Sequence, residues 1–208
     1  MKRRSLVFGL LAMTMSCAGV LESAVWADSH GKFPGKGSLD AYNRSLAPMN
    51  EGARKYKEHD FNSAIEFSRQ AISIYPLDSA THNNLGNALR RAGRFEEAIV
   101  ELQRAIALEP SYLSAWLGLG AANESLGRLQ EAERCYRRGL EIEPNSYGAL
   151  FDIGDVLRQQ GRLVEARNWL LRAKNSPSGK QNLEEVNNAL KLCEKKTAPP
   201  GKEASNQE

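Results

Sequence analysis

SATHNNLGNALRRAGRFEEAIVELQRAIALEPSY, residues 79–112, decides the fold, because its pattern recurs on both sides at a fixed interval of 34 residues. Pro76, Pro110 and Pro144 keep that interval, as do Gly52, Gly86, Gly120 and Gly154, and Ala64, Ala98, Ala132 and Ala166. A period of this length predicts stacked supersecondary units, a solenoid. Within the stretch, Leu85, Gly86 and Leu89 share a helical face and Gly93 interrupts the helix; Phe95, Ala98, Leu102 and Ala105 define a second face that Pro110 ends. Each unit therefore reads as helix-turn-helix. Gly86 and Ala98 carry almost no side chain, which lets the two helices approach near the short end of the ~8–10 Å interaxial range. Gly93, Gly127 and Gly161 supply the positive φ that closes a first helix without steric cost.

At these residues the chain resembles the tetratricopeptide repeat (TPR) family. Trp116, Leu119, Gly120, Gly127, Ala132, Tyr136 and Pro144 reproduce its pattern almost completely in the third unit. Four repeats can be drawn, 45–78, 79–112, 113–146 and 147–180. The resemblance implies an all-α, right-handed α-solenoid. The first unit departs from the pattern with Pro48, Glu51, Lys55 and His59, and the last has Ser178 where Pro is expected. Terminal repeats of solenoids carry polar outer faces.

Outward from the repeats, Lys2, Arg3 and Arg4 precede an apolar run from Leu6 to Val20, and Val25-Trp26-Ala27 offers small residues for a peptidase. This is the layout of a secretory signal, residues 1–27, with a mature chain beginning at Asp28 in a bacterial periplasm or outside the cell. An uncleaved anchor is the competing reading; against it, the run is shorter than the ~20 residues that span hydrocarbon and contains Thr14, Ser16 and Gly19. A third reading makes Cys17 a lipidated N-terminus, although Thr14 stands where such a motif wants Leu. No membrane span is expected after cleavage. Residues 28–44 read as a flexible tether rich in Gly, Lys and Ser. Residues 181–196 read as a helix that covers the last repeat: Asn182 and Glu185 have capping-box spacing, and Leu183, Val186, Leu190 and Cys193 form an apolar stripe. Residues 197–208 are polar and proline-bearing, a disordered tail by composition.

The chemistry-bearing residues point away from catalysis. His30, His59 and His82 have no ligand or nucleophile partner at motif spacing, so no metal, cofactor or triad is expected. The GKG of residues 35–37 lacks the ending of a phosphate loop, and Gly118 with Gly120 follows no strand. A net charge of +3 over 208 residues, without clustered Lys and Arg, implies no nucleic-acid partner. Cys135 and Cys193 fall on separate units and read as small semi-buried side chains. Trp116 reads as core; the helical phase of Trp169 points away from Ala166 and Leu170, under the terminal helix or onto the surface.

What remains is a second stripe on each first helix: Met49, Ala53, Tyr56; Asn83, Asn87, Arg90; Leu117, Ala121, Glu124; Phe151, Asp155, Arg158. In TPR families such positions resemble those lining the concave groove, and Asn50, Asn84, Gly118 and Asp152 face the same way. The resemblance implies a peptide-binding groove and a protein partner, a peptide or helix of an envelope protein. Met49 and Ala53 stand where TPR clamps for a terminal carboxylate carry Lys and Asn, so capture of a carboxyl terminus is not expected. With Lys57, Arg90 and Arg91 on the first two repeats and Asp152 and Asp155 on the fourth, the charges predict a segment whose acidic end lies toward Arg90. Two function classes follow: an exported, non-enzymatic adaptor or assembly factor, or a non-catalytic subunit presenting substrates to an envelope enzyme or a secretion or cytochrome-maturation complex.

Overall fold

A computed structural model describes the backbone of residues 36–197 and the side chains of residues 39–194. The expected signal and Cys17, residues 28–35 of the tether, and the tail from residue 198 lie outside the described residues.

The described chain forms α1 (Lys36–Lys57), α2 (Phe61–Ile74), α3 (Ser79–Arg91), α4 (Phe95–Leu108), α5 (Leu113–Ser125), α6 (Leu129–Ile142), α7 (Tyr147–Gln159), α8 (Leu163–Asn175) and α9 (Leu183–Thr197), with a 3-10 turn at Gly179–Gln181. Among these residues there is no strand, and the architecture is an all-α repeat solenoid. Each odd helix packs on the even one that follows, α1 on α2 through α7 on α8.

One turn joins the two helices of every repeat. The amide of Asp60 donates to the Lys55 carbonyl at 3.0 Å, and Arg94, Arg128 and Arg162 donate to Leu89, Asn123 and Leu157 at 2.9 Å each. This six-to-one bond is the helix-ending device that requires a left-handed residue at the turn. Gly93, Gly127 and Gly161 supply it at φ 71° to 79°, while the first repeat places His59 there at φ 62°. The next helices start differently. Asp60 and Asp78 cap α2 and α3 by accepting from the amides of Ser63 and Thr81, whereas Arg94 and Arg162 instead pair with Glu97 and Glu165 in the following turn.

Packing follows the small residues. Gly86, Gly120 and Gly154 face Leu102, Tyr136 and Leu170, each so close that an added Cβ would collide with the facing side chain. Gly52 faces Ser68, the Ala64 carbonyl and Phe67 at 3.1 to 3.4 Å from such a Cβ, tight contacts but no collision with a large side chain. Around these contacts run two apolar clusters, one centred on Leu85, Leu89, Leu102 and Cys135, the other on Tyr136, Ile153, Leu157, Leu170 and Cys193. Both cysteines are buried.

A second repeated lock involves different chemistry at one position. The Trp116 indole N–H donates to the Pro110 carbonyl at 2.9 Å. Its counterpart His82 places Nε2 3.0 Å from the Pro76 carbonyl and Nδ1 2.7 Å from the Glu101 carboxylate. His82 is buried, but Trp116, expected in the core, is only half-buried, with the Arg138 guanidinium 5.6 Å from its ring centre.

Three expectations are corrected. Residues 36–44 are not tether but the first turns of α1; Tyr42 packs edge-on against Tyr75 at 5.4 Å and Ser45 is buried, bonding the Tyr42 carbonyl. Pro48 sits inside this helix, where its ring removes one donor but does not end it. The covering helix begins at Leu183, and Leu183 is exposed while Val186, Ala189, Leu190 and Cys193 are buried against the fourth repeat. Glu185 does not complete a capping box: it accepts from the Tyr147 hydroxyl of α7 at 2.8 Å, and the Asn182 side-chain amide donates to the Ser178 carbonyl.

Candidate functional site

The first helices touch in series, α1 with α3, α3 with α5 and α5 with α7, and no comparable contact joins α2, α4, α6 and α8. The array therefore curves toward its first helices, and a side chain recurring on them lies on the inner face. Every residue of the predicted stripe falls on α1, α3, α5 or α7.

The structure sorts the stripe into two chemical halves. Tyr56, Asn83, Asn84 and Asn87 converge on a pocket of ≈260 Å³ completed by Gly52, Ala53, Lys57 and Ser114. Asn83 is buried and accepts from the Asn87 amide at 3.2 Å, so it fixes the wall as much as it offers itself. Gly118 contributes by absence: Asn87 Oδ1 lies 3.1 Å from where its Cβ would stand. Asn84 is half-buried in the same wall. Met49 and Asn50 do not line this pocket, and Asn50 is exposed.

The other half is acidic. Glu124 of α5 accepts from the Tyr136 hydroxyl at 2.9 Å and from Gln159, and Asp155 of α7 accepts from Gln159 and, through both Nε and Nη2, from Arg158. Burial pushes the Asp152 carboxyl up to about 7, reinforced by the negative charges of Glu124, Asp155 and Glu185 and opposed by Arg90. The same burial and carboxylates hold the Tyr136 and Tyr147 hydroxyls above the usual phenol range. Arg90 thus stands in the field of the carboxylates, its Nε buried without a hydrogen-bond partner among the described residues.

Between the halves lie apolar surfaces. Phe151 stacks on Tyr147 with ring centres 5.7 Å apart, and Leu117 is half-buried against Gly139 and Gly148. Of the pocket residues that the stripe did not contain, Lys57 adjoins Tyr56 on α1 and Ser114 lies one turn before Leu117 and Gly118 on α5. Glu185 comes from α9, outside the 34-residue register, and has no signal in the repeat pattern.

No group of His, Cys, Asp and Glu among the described residues is arranged to hold a metal ion. No helix among them is long and apolar enough to cross a membrane.

Three family models match the chain. A TPR repeat model covers residues 86–127, and two tetratricopeptide repeat models cover 125–180 and 67–100. The chain belongs to the tetratricopeptide repeat family. Repeats of this family are protein–protein interaction modules and in general non-catalytic scaffolds. No curated protein sequence matches the chain. Among solved structures it is similar to the first TPR of Spaghetti (RPAP3) bound to the HSP90 peptide SRMEEVD, with 27% identity, 58% of this chain and 95% of that one covered, and TM-score 0.56. The second TPR domain of human RPAP3, in complex with the HSP70 peptide SGPTIEEVD, shares 25% identity over 56% of this chain and 97% of that one, TM-score 0.54. TTC0263, a thermophilic TPR protein of Thermus thermophilus, covers 74% of this chain and 83% of its own at 19% identity and TM-score 0.64, a likeness of fold.

Proposed function

We propose that the protein is an exported interaction module, an adaptor or assembly factor, that holds an extended or helical segment of another envelope protein along its first helices. The observation that carries this reading is the convergence of Tyr56, Asn83, Asn84 and Asn87 on one pocket of the inner face. Amides there can bond a segment's main chain in either direction, and Tyr56, Leu117 and Phe151 offer apolar contact along its length. The peptides held by the two RPAP3 structures, SRMEEVD and SGPTIEEVD, are acidic at their C-terminal ends. The inner face of this chain supports the opposite polarity at its far end. Glu124 is met there only by the neutral Tyr136 hydroxyl and Gln159 amide among the described residues, so a Lys or Arg of the segment lies toward α7 and its neutral stretch lies over the asparagines.

Calorimetry against a partner recovered by pull-down tests the inner face. Asn84→Ala and Asn87→Ala weaken binding about fivefold or more, with the melting temperature held within about two degrees. Unchanged affinity in both variants sinks the inner-face reading. Export rests on the layout of residues 1–27. N-terminal sequencing of the mature protein is expected to begin at Asp28; a chain beginning at Met1, or at a lipidated Cys17, refutes cleavage after Ala27.

A further inference from the structure

The outer face carries a feature that peptide binding on the inner face does not use. Between the second helices of the third and fourth repeats, α6 and α8, lies a pocket of ≈300 Å³ lined by Arg137, Leu140, Glu141, Pro144, Trp169 and Arg172. Trp169 is half-buried in its wall. The Arg172 guanidinium lies over the indole 4.4 Å from the ring centre, and that of Arg137 approaches at 5.3 Å.

The two cations differ. Arg137 is already held by Glu133, with Nε and Nη2 at 3.0 and 2.7 Å from one carboxylate oxygen. Glu141, the carboxylate of the pocket itself, pairs with Arg138. Arg172 makes no ion pair among the described residues. A guanidinium stacked on an indole keeps its edge N–H groups pointing outward, the fork that a carboxylate fits with two parallel bonds. Stacking also removes much of the side-chain freedom that such a bond would otherwise cost. Trp169, Leu140 and Pro144 place apolar surface beside the fork, and tryptophan and arginine are the residue types that dominate interface energetics.

We propose that this outer pocket is a second docking surface, independent of the inner face, and that it takes an acidic segment of a partner protein. One Asp or Glu carboxylate pairs with Arg172, and an adjoining aliphatic or prolyl side chain rests on Trp169 and Leu140. The repeat pattern makes the site local: the positions equivalent to Trp169 hold Phe67, Glu101 and Cys135.

To test it, a phage-displayed library of random peptides is panned on the protein, and recovered peptides are synthesised and titrated by calorimetry into the parent, Arg172→Ala, Trp169→Leu and Asn84→Ala. Melting curves confirm that each variant folds. The expected result is a class of peptides carrying Asp or Glu beside Leu or Pro. Their affinity falls about tenfold or more in Arg172→Ala, in Trp169→Leu and when the peptide's Glu is replaced by Gln, and is unchanged in Asn84→Ala. A library yielding only peptides whose binding survives Arg172→Ala overturns the proposal. So does a class that binds through Arg172 only when resynthesised with phosphoserine in place of its Asp or Glu. Peptides lost in Asn84→Ala alone report on the inner face, so failure of one surface is distinguishable from failure of the other.

Discussion

The first and fourth repeats both stand at an end of the array, and they solve the same exposure problem by opposite means. The first thins its interior: Gly52 faces Ser68, where Gly154 faces Leu170, and its turn residue is His59, where the fourth has Gly161. The fourth keeps a full apolar interior and adds α9, which buries Val186, Ala189, Leu190 and Cys193. An unpaired repeat can either reduce the apolar surface it leaves open or acquire a helix to cover it. The first way makes the end tolerant of change; the second makes it dependent on one element.

The largest consequence concerns that element. Deleting the chain after Lys180 uncovers the fourth repeat and should cost about 3–5 kcal/mol of stability, from the apolar side chains re-exposed on both sides of the lost interface. Chemical denaturation would show it; an unchanged midpoint would mean that α9 is no cap and that the two ends are alike.

Next comes the position at which the two ends differ in charge, Asn50 in the first repeat and Asp152 in the fourth. Native Asp152 keeps its proton up to about pH 7, against an ordinary value of 3.8. The native state therefore binds more protons than the unfolded chain between those values, so stability falls as pH rises through that window and stays at its lower level above it. Asp152→Asn removes the dependence. Its melting temperature should exceed that of the parent by a few degrees, about 2 kcal/mol, at about pH 8, and the advantage should vanish near about pH 4. A constant difference across pH would show that the shift has another origin.

A smaller effect separates the glycines. In Gly154→Ala the new methyl meets Leu170 Cγ at 2.7 Å and should cost about 1–2 kcal/mol even after the gain in helix propensity. Gly52→Ala meets Ser68, the Ala64 carbonyl and Phe67 Cβ at 3.1, 3.3 and 3.4 Å, none under 3.0 Å, and should be close to neutral. Equal costs, measured by urea denaturation, would break the contrast between a thin and a full interior.

The smallest effect lies in the turns. His59→Gly should stabilise by about 0.5–1 kcal/mol by relieving a left-handed backbone, and Gly161→Ala should destabilise by about 1 kcal/mol. A loss on His59→Gly would mean that the edge-on contact of His59 with Phe61, 5.9 Å between ring centres, outweighs the backbone relief.

Much of what the 34-residue register carries is legible in the sequence: the helix pairs, the positive-φ turns, the close glycines and the placing of Tyr56, Asn83, Asn84 and Asn87 on first helices. What breaks the register is not. The start of α1 is hidden because residues 36–44 have a linker's composition, and only Tyr75 and the buried Ser45 give them something to pack on. Spacing assigns Glu185 to its own helix, since nothing in the sequence shows that the Tyr147 hydroxyl competes for it. That Arg90 shares its field with Asp152, two repeats away, is hidden by distance along the chain. Helical phase leaves Trp169 between core and surface, and the two guanidiniums that flank it come from different repeats.

The serial contact of the first helices, with none comparable between the second, also has a mechanical meaning. Because the contacts lie on the inner row, bending the array would change spacing least there and open or close the outer gaps. The gap between α6 and α8 is one of these. Its width follows the local curvature of the third and fourth repeats, while the inner row keeps its spacing, so the pocket beside Trp169 and the inner face remain separate surfaces.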